Sequence, residues 1–328
     1  MKIGPETIAR LAKIPNLAVS EGALLSRYTR FGIGGPARVY AETADQDAFI
    51  SALDTVTGSG VNFEVIGGGT NLIVSDSGID GVVLRFTADS IESDGARIRV
   101  AAGAVLQTLV DYSTGKGMKG LETMTGIPGS VGAAIYGNAG AYGHSIAEIV
   151  SSVVFYDGRQ IRTFNNAECQ FQYRESVFKR HKAWVIFSSE LAMTNAQAEE
   201  LQKTANNILR IRNEKYPPTM KCAGSIFKNL ILSELPSRVS NVVPETVIRE
   251  GKVPSAWFLE QIGAKGMKKG GIEVAAYHAN LIYNTGAGTA KQLCEVINEL
   301  KSRVHERFGL ELEEEVQYIG FGRNGSRA

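Results

Sequence analysis

The stretch GIPGSVGAAIYGNAGAYG, Gly126 to Gly143, carries six glycines in eighteen residues and no charged side chain. Glycine has no Cβ and tolerates positive φ, so such a run lets main-chain N–H groups come close to a ligand. A shorter stretch follows the same logic: GGGTNLIV, Gly67 to Val74, where a strand expected over Phe63 to Ile66 ends on three glycines and a polar pair. The shorter one alone reads equally well as a turn, but together, the longer one apolar between its glycines, they predict a pyrophosphate held by backbone amides. The dinucleotide fingerprint G-x-G-x-x-G/A is matched by GIGGPA, Gly32 to Ala37. That match fails on context, because Pro36 sits inside it and a strand-like segment, Ala37 to Ala41, follows where a helix should open.

Composition bounds the rest. With 328 residues the chain is long enough for two or three cores, and 44% hydrophobic with 21% charged residues is ordinary for a globular protein. A formal charge of +1 argues against nucleic-acid partners, which usually demand a marked basic excess. Cys169, Cys222 and Cys294 are odd in number and widely spaced, which fits a reducing cytoplasm better than a disulfide framework or a metal site. The first residues lack the apolar core of a signal peptide, and no apolar run reaches the length of a membrane span, so a cytoplasmic protein with no membrane partner is expected.

Periodicity predicts helices over Pro5 to Lys13, Ala44 to Thr57, Val105 to Thr114, Ala196 to Arg212, Ser255 to Ile262 and Thr289 to Phe308. Strands are expected at Ala37 to Glu42, within Gly81 to Ala102, at Ser151 to Tyr156 and Gln160 to Phe164 around an Asp157-Gly158 turn, at Ala183 to Met193, Asn280 to Asn284 and Glu311 to Ile319. Two helices open on capping boxes, Thr43 with Gln46 and Thr289 with Gln292. Paired prolines in NEKYPPTMKCAG mark a boundary.

In order along the chain stand GGGTN, GIPGSVG, NAGAYG, YRES (Tyr173 to Ser176), AGSIFKN (Ala223 to Asn229), HANLIYN (His278 to Asn284) and LEEEVQYIG (Leu312 to Gly320). The ordered set resembles the UDP-N-acetylenolpyruvoylglucosamine reductase family over roughly residues 28 to 320. The resemblance implies an α+β fold: a two-part FAD-binding domain of the PCMH/vanillyl-alcohol-oxidase type (1–77 and 78–213), an α+β substrate-binding domain (214–320) and a polar tail (321–328). It implies non-covalent FAD, NADPH as co-substrate, a UDP-sugar substrate and a monomer. Flavin contacts would come from Gly67, Gly68, Gly69, Thr70, Asn71 and Leu72, from Gly126, Ile127, Pro128, Gly129, Ser130, Gly132, Ala133, Asn138, Gly140, Ala141 and Tyr142, and from Arg174.

In that family, hydride from reduced flavin reaches an enol-ether carbon and leaves enolate character beside the substrate carboxylate. The charge then needs a fixed electrophile and the carbon a proton. Arg174 matches the family's arginine, whose permanently charged fork suits carboxylate or enolate oxygens. Ser225 matches its proton donor, and an enolate-like carbon is basic enough to deprotonate an aimed hydroxyl. Glu315 matches the third member, although Glu311, Glu313, Glu314 and Glu315 together also read as a solvated acidic face, and on a strand only one of Glu314 and Glu315 would face a cleft. Tyr173, Lys228 and Asn229 are further substrate-binding candidates. Three features depart from the family pattern: Arg30 separates Thr29 from Phe31 where a Thr-Phe-Gly-type sequence is usual, Leu230 stands where a proline is common, and an apparent insertion runs from Ile231 to Lys252. The short spacing from YRES to AGSIFKN resembles the subtype without a tyrosine-bearing lid loop.

Two other readings compete. A flavin oxidase of similar fold would tether its flavin through His144, and a non-catalytic nucleotide-binding protein would have kept the fold without the reaction.

Overall fold

A computed structural model describes residues 3–321. The tail expected over 321–328 therefore lies outside the described residues from Gly322 on. The chain forms two compact units, each made of several segments. One takes the chain up to Ala23, Ala37–Gly69 and Asp80–Lys215, and the other takes Leu24–Pro36, Thr70–Ile79 and the chain from Tyr216 on.

The first unit is built on two sheets. One has the strand order Ala18–Leu24, Pro36–Thr43, Ile79–Phe86, Phe63–Ile66, with Phe63–Ile66 parallel to its neighbour. The helix Gln46–Gly58 joins two of its strands and buries Phe49, Ala52, Leu53 and Val56, an i, i+3, i+4, i+7 stripe. Its start differs from expectation. Asp45 is the N-cap and accepts from Ala48 N–H at 2.9 Å. Thr43, still the last residue of its strand, accepts from Asp45 N–H at 3.0 Å instead. The tighter cap wins because a carboxylate one turn before Ala48 satisfies an orphan donor that Thr43 is too far back to reach.

The second sheet is antiparallel, in the order Ile161–Asn165, Val150–Tyr156, Val185–Ala192, Arg97–Ala101, Ile91–Asp94. Alternation, interrupted by two register shifts between Val150–Tyr156 and Val185–Ala192, sorts its side chains. Tyr156, Val185 and Phe187 share a core with Val39, Val82 and Leu84 of the first sheet, and Phe49 meets Phe187 edge-on at 5.9 Å between ring centroids. Ile98, Val153, Phe155 and Leu191 face the other way, onto the helices Leu106–Gly115 and Val131–Tyr136.

The second unit has the antiparallel order Lys221–Ser225, Leu281–Asn284, Ile272–Val274, Lys268–Lys269. Against it lies the helix Ala290–Phe308, whose apolar stripe of Leu293, Val296, Ile297, Leu300 and Val304 is buried, with Phe308 partly so. Thr289 and Gln292 form the expected capping box, and Gly309 at φ 68° ends the helix. The apparent insertion is a closed excursion. Leu230–Ile231 pairs with Lys252–Val253 across its neck, and Val239 and Val243 sink into the unit's core with Leu235 and Ile248 against it.

The strand expected over Glu311–Ile319 is shorter: regular pairing covers Gln317–Ile319, parallel to Leu72–Val74, with an isolated bridge of Glu314 to Phe227. All three cysteines are free thiols. Among the described residues, no helix is long and apolar enough to cross a membrane.

Candidate active site

The two glycine stretches meet within the first unit. A Cβ on Gly67 would stand 2.8 Å from Ser130 Oγ, and one on Gly68 would stand 3.1 Å from Gly129 Cα. Gly69, Gly126 and Gly129 hold φ of 64°, 77° and 118°, a region side chains disfavour. The two stretches abut so closely that neither has room for a Cβ, and their bare backbone lies side by side as a cradle of main-chain groups such as a flavin pyrophosphate needs, so these residues fit FAD. Gly132 contributes differently. Its N–H donates to Ala102 O at 2.8 Å, and a Cβ there would stand 2.8 Å from that of Ala102. It lets the helix Val131–Tyr136 press onto the sheet rather than offering a donor to a ligand.

Around this cradle the electrostatics are shaped by burial. Glu64, on the strand leading into Gly67, has its carboxyl raised by burial against the opposing pull of Lys182. Burial likewise raises the Tyr136 phenol, with the charges of Glu175 and Glu64 adding to it. His144, the one candidate for a covalent flavin link, is exposed, with Nδ1 2.8 Å from Glu148 Oε2.

YRES forms a tight turn: Gln172 and Glu175 exchange both main-chain hydrogen bonds, at 3.0 and 3.1 Å, leaving Tyr173 and Arg174 at the tip. Arg174 holds φ 58°, a left-handed conformation that costs a non-glycine residue about 1–2 kcal/mol. Contacts on both sides oppose that strain. Arg174 Nη2 donates to Gly140 O at 3.0 Å, and Lys179 Nζ donates to Arg174 O at 2.9 Å. Asn138, buried, donates from Nδ2 to Gln172 O at 2.8 Å. The structure thus ties Asn138, Gly140 and Arg174 to one another, and the Arg174 guanidinium lies 5.2 Å from the Tyr173 ring centroid. Backbone strain of this kind clusters at active sites and ligand clamps.

In the second unit Ser225 ends the strand Lys221–Ser225. The register along Leu281–Asn284 shifts between Cys222 and Ser225, and Gly224 at φ 78° makes that shift possible. Such a bulge re-aims the side chain that follows it. Beyond Ser225 the chain is clamped by Asn280, a buried residue. Its Oδ1 accepts from Ile226 and Phe227 N–H at 3.1 and 2.9 Å, and its Nδ2 donates to Phe227 O at 2.9 Å. Tyr216 Oη lies 3.3 Å from Ser225 Oγ. Sequence reasoning assigned a role to neither residue: HANLIYN contained Asn280 only as part of a motif, and Tyr216 stood in the boundary segment.

The acidic cluster is resolved by its neighbours. Glu314 binds Lys301 of the helix Ala290–Phe308 at 3.2 Å and is 9% exposed at its side chain. Glu313 binds Lys228 at 2.6 Å. Glu315 N–H donates to Ile226 O at 2.7 Å, and Asn71 Nδ2 donates to Glu315 O at 2.9 Å. Successive side chains in extended chain point opposite ways, so Glu315 projects away from the helix that holds Glu314. Asn71, Ser225 and Glu315 are thus gathered within one unit. Lys228 sits beside them with its side chain 10% exposed, its N–H on Glu313 O at 2.9 Å, and half-buried Asn229 follows it.

Comparison with known proteins gives two family matches. A model for the C-terminal domain of UDP-N-acetylenolpyruvoylglucosamine reductase matches residues 216–319, and an FAD binding domain matches residues 37–163. A protein of that name from Solibacter usitatus is 62% identical over 311 residues, covering 95% of this chain and 100% of its own. One from Bacillus subtilis is 33% identical over 303 residues, 91% of this chain and 93% of its own. The crystal structure of UDP-N-acetylenolpyruvylglucosamine reductase from Thermus caldophilus superposes with a TM-score of 0.73 at 27% identity, covering 92% of this chain and 99% of that one.

Proposed function

This chain belongs to the UDP-N-acetylenolpyruvoylglucosamine reductase family, and on that premise we propose that Arg174, Ser225 and Glu315 carry the family's chemistry in it. The protein is an FAD-dependent oxidoreductase that uses NADPH to reduce UDP-N-acetylglucosamine enolpyruvate to UDP-N-acetylmuramate, a step of peptidoglycan precursor synthesis. The observation that carries this reading is the full-length match of both parts, with α+β architecture throughout.

When bound, FAD accepts a hydride from NADPH and supplies it to the substrate's enol-ether carbon. The remaining work falls to side chains. Arg174, fixed at a strained turn tip, neutralises charge on the substrate carboxylate or enolate oxygens. Ser225, aimed by the bulge at Gly224 and anchored through Asn280, gives a proton from Oγ to the carbon beside the carboxylate. Glu315, whose N–H is tied to the carbonyl of Ile226, holds its carboxylate near that serine. Lys228, Asn229 and Tyr173 bind the sugar nucleotide. The bare backbone at Gly67, Gly68 and Gly129, with Ser130 beside it, would hold the flavin pyrophosphate, without a covalent link.

We take the division at residues 77 and 213 as functional: two flavin-binding parts, then the substrate part. Free cysteines and the lack of a spanning helix among the described residues support a cytoplasmic enzyme, which we take to be a monomer. The test is Ser225→Ala. Flavin content and NADPH oxidation with a small artificial acceptor should stay as in wild type, while product formation falls by ~10²-fold or more. Equal turnover in the variant would remove Ser225 from the mechanism.

A further inference from the structure

A serine hydroxyl has one proton and two lone pairs. If the proton is spent on a protein acceptor, none is aimed at the substrate, so what sits against Ser225 Oγ decides whether it can act. The group that sits there is another hydroxyl, Tyr216 Oη at 3.3 Å, long for a hydrogen bond between hydroxyls but within the range that tightens on substrate binding.

The tyrosine is held by its surroundings. Its ring packs on the cluster of buried Cys222, Ala275 and Leu281 beside Met220 and Tyr283, and its centroid lies 6.3 Å from that of His278. His278 is itself fixed: Nδ1 accepts from Asn280 N–H at 3.2 Å. Asn280 is the residue that clamps the chain just after Ser225. Tyr216 and Ser225 are thus positioned from one framework, the serine through its backbone and the phenol through its ring.

We propose that Tyr216 is the positioning residue for Ser225: its phenol donates to one lone pair of Oγ, orients the serine proton toward the substrate carbon, and holds the alkoxide once that proton has left. This deepens the assignment of Ser225 as proton donor and rests on it. In the step, the Ser225 Oγ–H bond breaks and a C–H bond forms at the carbon beside the carboxylate. The negative charge left on Oγ accepts the Tyr216 O–H hydrogen bond, now charge-assisted, until water returns a proton. Phenylalanine cannot do this, although it fills the same space.

The experiment is anaerobic rapid mixing of the flavin-loaded protein, wild type against Tyr216→Phe, Ser225→Ala and the double variant, with NADPH and then with UDP-N-acetylglucosamine enolpyruvate. Tyr216→Phe should leave flavin reduction by NADPH unchanged and substrate affinity, read from the shift of the flavin spectrum, within about twofold. It should slow flavin reoxidation by about 10- to 100-fold, the worth of one hydrogen bond to a charged group. Because the phenol acts through the serine, the double variant should be no slower than Ser225→Ala. A crystal structure of Tyr216→Phe should show Ser225 Oγ spread over more than one rotamer, a readout independent of turnover.

Wild-type reoxidation in Tyr216→Phe, or losses that multiply in the double variant, would overturn the proposal while leaving Ser225 as donor. Wild-type turnover in Ser225→Ala would remove the donor assignment and this inference with it.

Discussion

At the scale of single residues, the site depends on groups whose own chemistry is idle. Asn280 touches no reacting atom by this account, yet it satisfies two N–H groups and one carbonyl directly after Ser225. Removing its amide strands the N–H and carbonyl of buried Phe227, while Ile226 N–H keeps the main-chain oxygen of residue 280 at 3.0 Å, and Asn280→Ala should lower stability by about 2–3 kcal/mol, read from urea unfolding. A loss under about 0.5 kcal/mol would mean that the clamp is redundant. The sequence made Ser225 and Arg174 legible through their motifs, but nothing in it could announce the left-handed turn at Arg174 or the hydroxyl of Tyr216 beside Ser225. Both arise from tertiary approach, the first through Gly140 and Lys179, the second through a bulge. Glu315 was legible only through the family motif, because its environment depends on Lys301 capturing Glu314, thirteen residues away along the chain.

Elements were most readable where local chemistry settles the outcome. The helix Ala290–Phe308 announced its cap, stripe and stop, since each depends on residues within a few positions of one another. One partner was hidden: Asp76 accepts from Ala290 and Lys291 N–H at 2.8 and 3.0 Å, a second cap supplied from 214 residues earlier. Asp76→Ala should therefore cost about 1 kcal/mol in the urea midpoint and leave flavin content unchanged, with Thr289 still capping the helix. Loss of flavin in that variant would show that the segment Thr70–Ile79 is held mainly through this helix. The strand near the end was misjudged in length for a related reason: Glu311 to Glu315 is tied by an isolated bridge at Glu314, single bonds to Ile226 and Lys228 and the Asn71 amide on Glu315 O rather than by a ladder, and Val316 is a bend, so alternation alone overstated the regular pairing.

For the molecule as a whole, buried acids predict how it responds to alkali. Burial pushes the Cys169 thiol up to about 12, and burial first, then the hydrogen bond to Glu42, raises the Tyr40 phenol. In the unfolded chain these groups lose protons near their ordinary values of about 8.5 and 10. The native state keeps them, so it binds more protons, and stability falls as pH rises past those values. The urea midpoint should decline from about pH 8.5 and more steeply above about pH 10. A midpoint unchanged between about pH 8 and 10.5 would mean that both groups ionise freely in the folded protein.

The segmented second unit has a consequence for synthesis on the ribosome. Leu72–Val74 finds its parallel partner only at Gln317–Ile319, and Asn71 reaches Glu315 across 244 residues. At typical elongation rates that wait lasts about 10–50 s. Through it the nascent chain carries Ile73 and Val74, fully buried in the finished protein, with no strand to cover them. The protein is therefore most exposed to aggregation, and most in need of a chaperone, while it is still being translated, and ribosomes stalled before Gln317 should release products that cannot complete this unit.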